Sequence, residues 1–255
     1  MSSEQHLAVT SRFARDAAVA YVGCAGWSIA SDAKTCFSTE GSVLSRYSKV
    51  MGAVEINSSF YRPHKTSTYA RWAAEVPEHF RFSVKLPKQI THTLRLSGIE
   101  QELTEFAGQV GALENKLGCI LVQLPPSFSH DAEVADVFFS LLRQQFTCMF
   151  ACEARHTSWF SSDASNVLET HAVTRVEADP LLGQTGSFEP TTPERYLRLH
   201  GSPKMYYSSY STKFLAALRT QLNGAQHTTW VIFDNSASGA STLNALSLRG
   251  ECKDV

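Results

Sequence analysis

Short apolar runs in which side chains alternate with a period of two recur along this chain. Longer segments, whose apolar residues return every three or four positions, separate them. The period-two runs predict strands at residues 21–25, 54–61, 82–85, 119–123, 149–153, 172–178, 196–200 and 230–234. The helical spacing predicts helices over residues 42–51, 65–76, 100–116, 131–145, 213–222 and 240–248, with a short one at 166–170. Eight strands, all but the sixth followed by a helical segment, over roughly 250 residues match a single (β/α)8 TIM barrel, an α/β fold. The sixth strand is the least cleanly patterned, so the barrel is expected to be irregular there. Residues 1–20 read as a lead-in and 21–255 as one domain. A doubly wound open sheet is the competing architecture, but Gly23-Cys24-Ala25-Gly26 only faintly resembles its phosphate-binding turn.

Charge narrows the function classes. The net charge of -1 over 255 residues supplies no basic field, so nonspecific attraction to nucleic acid or an anionic membrane is not supported. No apolar run reaches the eighteen residues of a membrane span, and 17–20 is too short for a signal-peptide core, so a cytoplasmic protein is expected. None of the six cysteines forms a Cys-x-x-Cys pair, and they are expected to be reduced, structural thiols.

Barrel geometry then makes candidate chemistry out of strand ends, because functional groups gather at the carboxyl ends of barrel strands. In 54–61, Val54 and Ile56 share one face while Glu55 and Asn57 share the other. Glu153 pairs with Arg155 and Arg198 with His200 in the same way. Trp27, Tyr61, Lys85, Gln123, Asp234 and Asn235 complete an ionic rim with aromatic faces. Surplus cations at a rim suit a small anionic ligand held by Arg155, Arg198 and Lys85. The same residues also read as an interior ion-pair network that fixes the barrel's register. Glu55 or Glu153 with His200 would supply matched acid and base, and Lys85 could act as an electrophile or form a Schiff base. His92, His156 and Trp159 lie in the loops after strands three and five as further ligand contacts. The turn after strand eight, with Ser238 and Gly239 before the last helix, is a second place for an anion, or an ordinary helix cap. No cofactor is predicted. A divalent metal on Glu55, Glu153, His200 and Asp234 is a lesser alternative, because no His-x-His or Glu-x-x-His pair concentrates the ligands. A retaining glycosidase is disfavoured, since Glu55 and Glu153 stand on strands well separated around the barrel.

Several segments carry a family resemblance. They are Gly23-Cys24-Ala25-Gly26-Trp27-Ser28, residues 54–62, Arg81-Phe82-Ser83-Val84-Lys85-Leu86-Pro87 with Ile90-Thr91-His92, Gln123-Leu124-Pro125-Pro126-Ser127-Phe128, Glu153-Ala154-Arg155-His156 with Ser158-Trp159-Phe160, and Arg198-Leu199-His200-Gly201. Together they resemble the signature blocks of the DUF72, or YecE-like, family, in order from about residue 21 to 248. The resemblance implies a TIM barrel and a family whose activity is not established. Cys24 departs from the family's small or hydroxyl residue, Ala154 from its aromatic, and Asp234 from the first Asn of Phe-Asn-Asn, which adds a negative charge at a strand end. Two readings follow: an enzyme doing general acid-base chemistry on a small anionic, phosphorylated-sugar or nucleotide-like substrate, or a noncatalytic protein that binds a metabolite or a nucleic-acid end at the same rim.

Overall fold

The computed structural model describes residues 19–184 and 186–250. Most of the lead-in expected at 1–20 lies outside them. Eight parallel strands close into a barrel: β1 (Ala20–Ala25), β2 (Ala53–Ile56), β3 (Arg81–Lys85), β4 (Leu117–Gln123), β5 (Met149–Glu153), β6 (Val173–Asp179), β7 (Arg195–Leu199) and β8 (Thr229–Phe233). Each pairs with its neighbour in sequence, and β8 returns to β1 through Ala20–Thr229 to Cys24–Phe233. The outer helices are α1 (Val43–Ser48), α2 (Ser58–Tyr61), α3 (Thr66–Glu75), α4 (Glu100–Val110), α5 (Ala132–Gln145), α6 (Ser162–Thr170), α7 (Thr212–Asn223) and α8 (Ala240–Arg249). Ser42, Asp131, Ser161 and Ser211 each cap a helix by accepting a backbone N–H bond, which satisfies donors that the first turn leaves free. Among the described residues no helix is long and apolar enough to cross a membrane.

Alternation sorts the strand residues into two cores. Val54, Ile56, Phe82, Val84, Ile120, Val122, Phe150, Val231 and Phe233 face outward and pack with the helices. Ala53, Cys119, Leu121, Ala151, Val176, Tyr196, Trp230 and Ile232 fill the barrel's interior. The β1–β2 junction is close. A Cβ on Gly23 would lie 1.9 Å from the Ala53 carbonyl oxygen, so only glycine fits. There the Tyr47 hydroxyl of α1 accepts from Cys24 N at 2.8 Å and donates to the Ala53 carbonyl at 3.0 Å, standing in for a direct ladder bond.

Four expectations need correction. The strand expected over 54–61 ends at Ile56, and Ser58–Tyr61 is one helical turn, pinned by Ser59 Oγ between the carbonyls of Ile56 (3.0 Å) and Lys85 (2.6 Å). The helix expected to reach residue 116 stops at Val110 and continues as a 3-10 segment that breaks where Glu114 takes φ +51°. A (β/α)8 barrel in its regular form carries a helix after every strand, yet none joins β6 to β7 among the described residues, where the helical spacing also offered none. Strand β6 itself is regular; the irregularity falls in the proline-containing connection after it. Buried Arg175 holds that connection from β6 by donating to the Glu189 carbonyl at 2.7 Å. Finally, Cys36 is disulfide-bonded, whereas Cys24, Cys119, Cys148 and Cys152 are free thiols as expected.

Candidate functional site

Inward-facing positions at the carboxyl ends of the strands form an ionic layer above the apolar interior, and Arg198 of β7 sits at its centre with 1% of its surface exposed. Its Nε and Nη2 donate to Oε2 and Oε1 of Glu55 at 3.0 and 2.7 Å, the two-pronged match of guanidinium to carboxylate. Nη1 donates to Glu153 Oε2, and Nη2 donates also to Asp234 Oδ2 at 3.0 Å. Glu55 Oε2 accepts a further bond from the Tyr196 hydroxyl at 2.9 Å, and Ser83 Oγ lies 2.7 Å from that hydroxyl. Glu153 Oε1 accepts from Arg155 Nε and Nη2 at 2.9 and 2.7 Å. His200 Nδ1 stands 3.1 Å from Asp234 Oδ2, while its Nε2 is 3.7 Å from Glu153 Oε1, an ion-pair separation too long for a hydrogen bond.

The charges follow from these contacts. Burial would raise the Glu153 pKa, but Arg198, His200 and Arg155 together hold it well below the carboxylate range. Asp234 is lowered against the same burial penalty by Arg198 and His200. Burial pulls His200 down, yet its hydrogen bond to Asp234 and the nearby Glu153 carboxylate carry it above its ordinary value. Arg155, Arg198 and His200 thus face the carboxyl groups of Glu55, Glu153 and Asp234.

Lys85 is outside this balance. Its ammonium rests 4.1 Å from the centre of the Phe60 ring, which the α2 turn lays against it, and it makes no ion pair with a carboxylate among the described residues. Burial first, then Arg198, lowers its pKa to about 8, against the opposing pull of Glu55, Glu153 and Asp234. The group faces a hollow of about 380 Å³ walled by Asn57, Phe60, Tyr61, Lys88, His92, Gln123, Arg155, Tyr206 and Asp234. His92, lowered to about 4 by burial and by Lys85, Lys88 and Arg155, is neutral there. Asn57 Oδ1 is buried without a hydrogen-bond partner among the described residues. Lys88 is exposed, so the wall carries two lysines beyond the balanced network.

Of the residues expected at the site, Asn57, Tyr61, Lys85, His92, Gln123, Arg155 and Asp234 line the hollow, and Glu55, Glu153, Arg198 and His200 lie in the layer beneath. Others lie elsewhere. Trp27 packs edge-on against Trp72 at 5.0 Å. Trp159 is buried and donates its indole N–H to the Phe128 carbonyl at 2.9 Å. His156 caps the turn at Thr157–Phe160. Asn235 is buried and donates to the Ser208 carbonyl and Asn244 Oδ1, both at 2.9 Å. The expected second anion place is covered by the loop after β7: Ser238 Oγ donates to the Tyr207 carbonyl and Ala237 N to the Tyr206 carbonyl. The N–H groups of Gly239 and Ser241 are also taken, by Ser236 and Asn235 carbonyls, and Gly239 caps α8 with φ +81° and no side chain.

Glu55 and Glu153, expected to stand far apart, share one guanidinium, because an eight-stranded barrel is only wide enough inside for facing side chains to meet. The four residues considered for a metal do converge, with the fixed cation Arg198 between three of them. No group of three or more His, Cys, Asp or Glu side chains is arranged to hold a metal ion among the described residues. Phe60, Lys88, Ser83 and Tyr196 were not anticipated at the site. Ser83 and Tyr196 were findable, since each lies two positions before Lys85 or Arg198 and so faces the same interior.

Comparison with known proteins bears on the whole barrel. A family model described as "Protein of unknown function DUF72" matches residues 21–254. The UPF0759 protein YecE of Escherichia coli is 28% identical over 119 residues, 46% of this chain and 43% of that protein. The UPF0759 protein YunF of Bacillus subtilis is 28% identical over 147 residues, 55% of this chain and 52% of that one. The matched part thus spans about half the length of these relatives. Among solved structures, a family member from Enterococcus faecalis superposes with a TM-score of 0.75 at 21% identity, covering 91% of this chain and 95% of its own. One from Thermotoga maritima gives 0.72 at 25% identity, covering 91% and 98%.

Proposed function

The chain belongs to the DUF72 family, and from that premise we propose that it is an enzyme acting by general acid-base chemistry on a small anionic substrate held in the mouth of its barrel. The observation that carries this reading is Lys85, a nearly buried ammonium on the wall of the hollow with no carboxylate paired to it among the described residues. A cation desolvated without a partner is unfavourable to folding, and an anion in the hollow supplies the missing partner. Arg155 and Lys88 border the same space and add donors for a phosphate or carboxylate.

The roles differ from those suggested by residue type alone. Glu153 is held ionised beneath Arg198, so it serves as a counter-ion that fixes the guanidinium and gives up the role of acid. Glu55, fully buried, braces the same guanidinium through its bonds with Arg198 and Tyr196. Lys85, with a pKa near 8, is the group on the wall poised to exchange a proton at neutral pH, and His200 behind Asp234, its pKa raised by that bond, is the proton store on the other side.

The test is to measure thermal shifts and titration calorimetry with inorganic phosphate, sugar phosphates and small carboxylates, and to follow each ligand that binds by mass spectrometry for conversion. Binding that is lost in Lys85→Met and retained in part by Lys85→Arg is expected. Affinity for uncharged ligands only, indifferent to Lys85→Met and Arg155→Ala, refutes the reading. The pairing of Arg198 with Glu55, Glu153 and Asp234 favours a second reading, a noncatalytic binding protein, since such a layer can act as scaffold alone. A ligand that binds and is never converted decides for it.

A further inference from the structure

We propose that Lys85 is a covalent nucleophile that forms an imine with a small aldehyde or ketone bearing a carboxylate or phosphate. The inference rests on the anionic mouth argued above and names the substrate class it takes. The geometry has three parts. The amine stands at the end of β3 on the wall of the hollow, free of hydrogen bonds and ion pairs in the described residues, with its nitrogen 4.1 Å from the centre of the Phe60 ring. Arg155 and Lys88 lie on the same wall to hold the substrate's anion. Asp234, backed by His200 at 3.1 Å, faces the same space as a proton source and sink.

The lowered pKa supports the geometry, because at pH 7 the neutral fraction of an amine at about 8 exceeds that of an exposed lysine by roughly two orders of magnitude. In the reaction the neutral amine donates its lone pair to the carbonyl carbon, and the C=O π pair moves to oxygen. A proton passes from nitrogen to that oxygen, giving a carbinolamine. The hydroxyl then takes a second proton from the Asp234–His200 pair and leaves as water while nitrogen forms the C=N bond. Loss of the remaining N–H proton returns it to the pair, so one amine and one carbonyl become one imine and one water. A lysine charged by default and paired with a carboxylate would do none of this; this one lacks the carboxylate.

The experiment incubates the protein with glyoxylate, pyruvate or glyceraldehyde 3-phosphate and reduces with sodium cyanoborohydride, which adds hydride to the imine carbon and fixes the adduct. Intact mass and peptide mapping follow. We expect a single adduct on Lys85, formed at least about tenfold faster than on exposed Lys34 or Lys65, slowed by inorganic phosphate and absent in Lys85→Arg. Labelling spread over exposed lysines with no preference for Lys85 overturns the inference, and the phosphate competition in unsubstituted protein does so without a variant that must fold. Phosphate binding that depends on Lys85, without an adduct from any probe, sinks the imine and leaves the anionic mouth standing. An adduct formed equally fast with acetone and pyruvate removes the anionic substrate class and overturns the proposal as stated.

Discussion

Replacing Arg198 with methionine removes a guanidinium that three carboxylates share, two of them on residues at most 2% exposed. Deleting one partner of a buried ion pair costs roughly 3–5 kcal/mol, because the remaining charge keeps its desolvation penalty and loses its compensation. Here two deeply buried carboxylates lose the same partner, so the loss at pH 8 is expected at the upper end, about 5 kcal/mol, against a total stability of only about 5–15. The sign with pH separates this cause from simple loss of packing. In the unsubstituted protein Glu153 has a depressed pKa, so its contribution is present above the ordinary carboxylate range and disappears as pH falls through the folded-state value. Without Arg198 the cost of burying the Glu153 charge meets weaker opposition and the folded-state pKa rises. The folded protein then holds a proton that the unfolded chain releases, and stability falls as pH rises. Urea denaturation followed by tryptophan fluorescence between pH 4.5 and 8 reads both trends. Adding Glu153→Gln to Arg198→Met should recover part of the loss at pH 8. A loss below about 1 kcal/mol, or a variant whose stability rises with pH as the parent's does, refutes the account of the ionic layer as mutually compensating buried charges.

Other consequences follow from single contacts. Affinity for inorganic phosphate should weaken as pH rises through about 8, where Lys85 loses its proton, and calorimetry across pH 6.5–9.5 should show a flat profile in Lys85→Met. Tyr47→Phe strands the Cys24 N–H and the Ala53 carbonyl between β1 and β2 and should destabilise the fold by about 1–3 kcal/mol in chemical denaturation. Gly183 has φ +71°, and a Cβ there would lie 2.3 Å from the Arg155 carbonyl oxygen. Gly183→Ala should therefore displace Arg155 and weaken phosphate binding by about tenfold, the loss of one charge-assisted hydrogen bond, and unchanged affinity would show that Arg155 does not touch the ligand.

Alternation in the sequence was enough to determine which residues face the barrel's interior. Val54 and Ile56 went to the helices and Glu55 and Asn57 to the inside, and the pairs Glu153–Arg155 and Arg198–His200 turned inward for the same reason. The eight-strand count and the barrel were legible too, because each strand's period is a local property of its backbone. Partnership was not local. Glu55 and Arg198 lie 143 positions apart and meet only because closure brings β2 and β7 across a space one layer of side chains wide. Residue type alone therefore marked Glu55 and Glu153 as candidate acids without revealing that they share one guanidinium, and it could not show that Lys85 is without a carboxylate partner among the described residues. Loop residues were legible least. Trp159 and Asn235 carry groups suited to a ligand, but their bonds go to Phe128, Ser208 and Asn244, since a buried polar group takes whichever partner the surrounding chain places within reach.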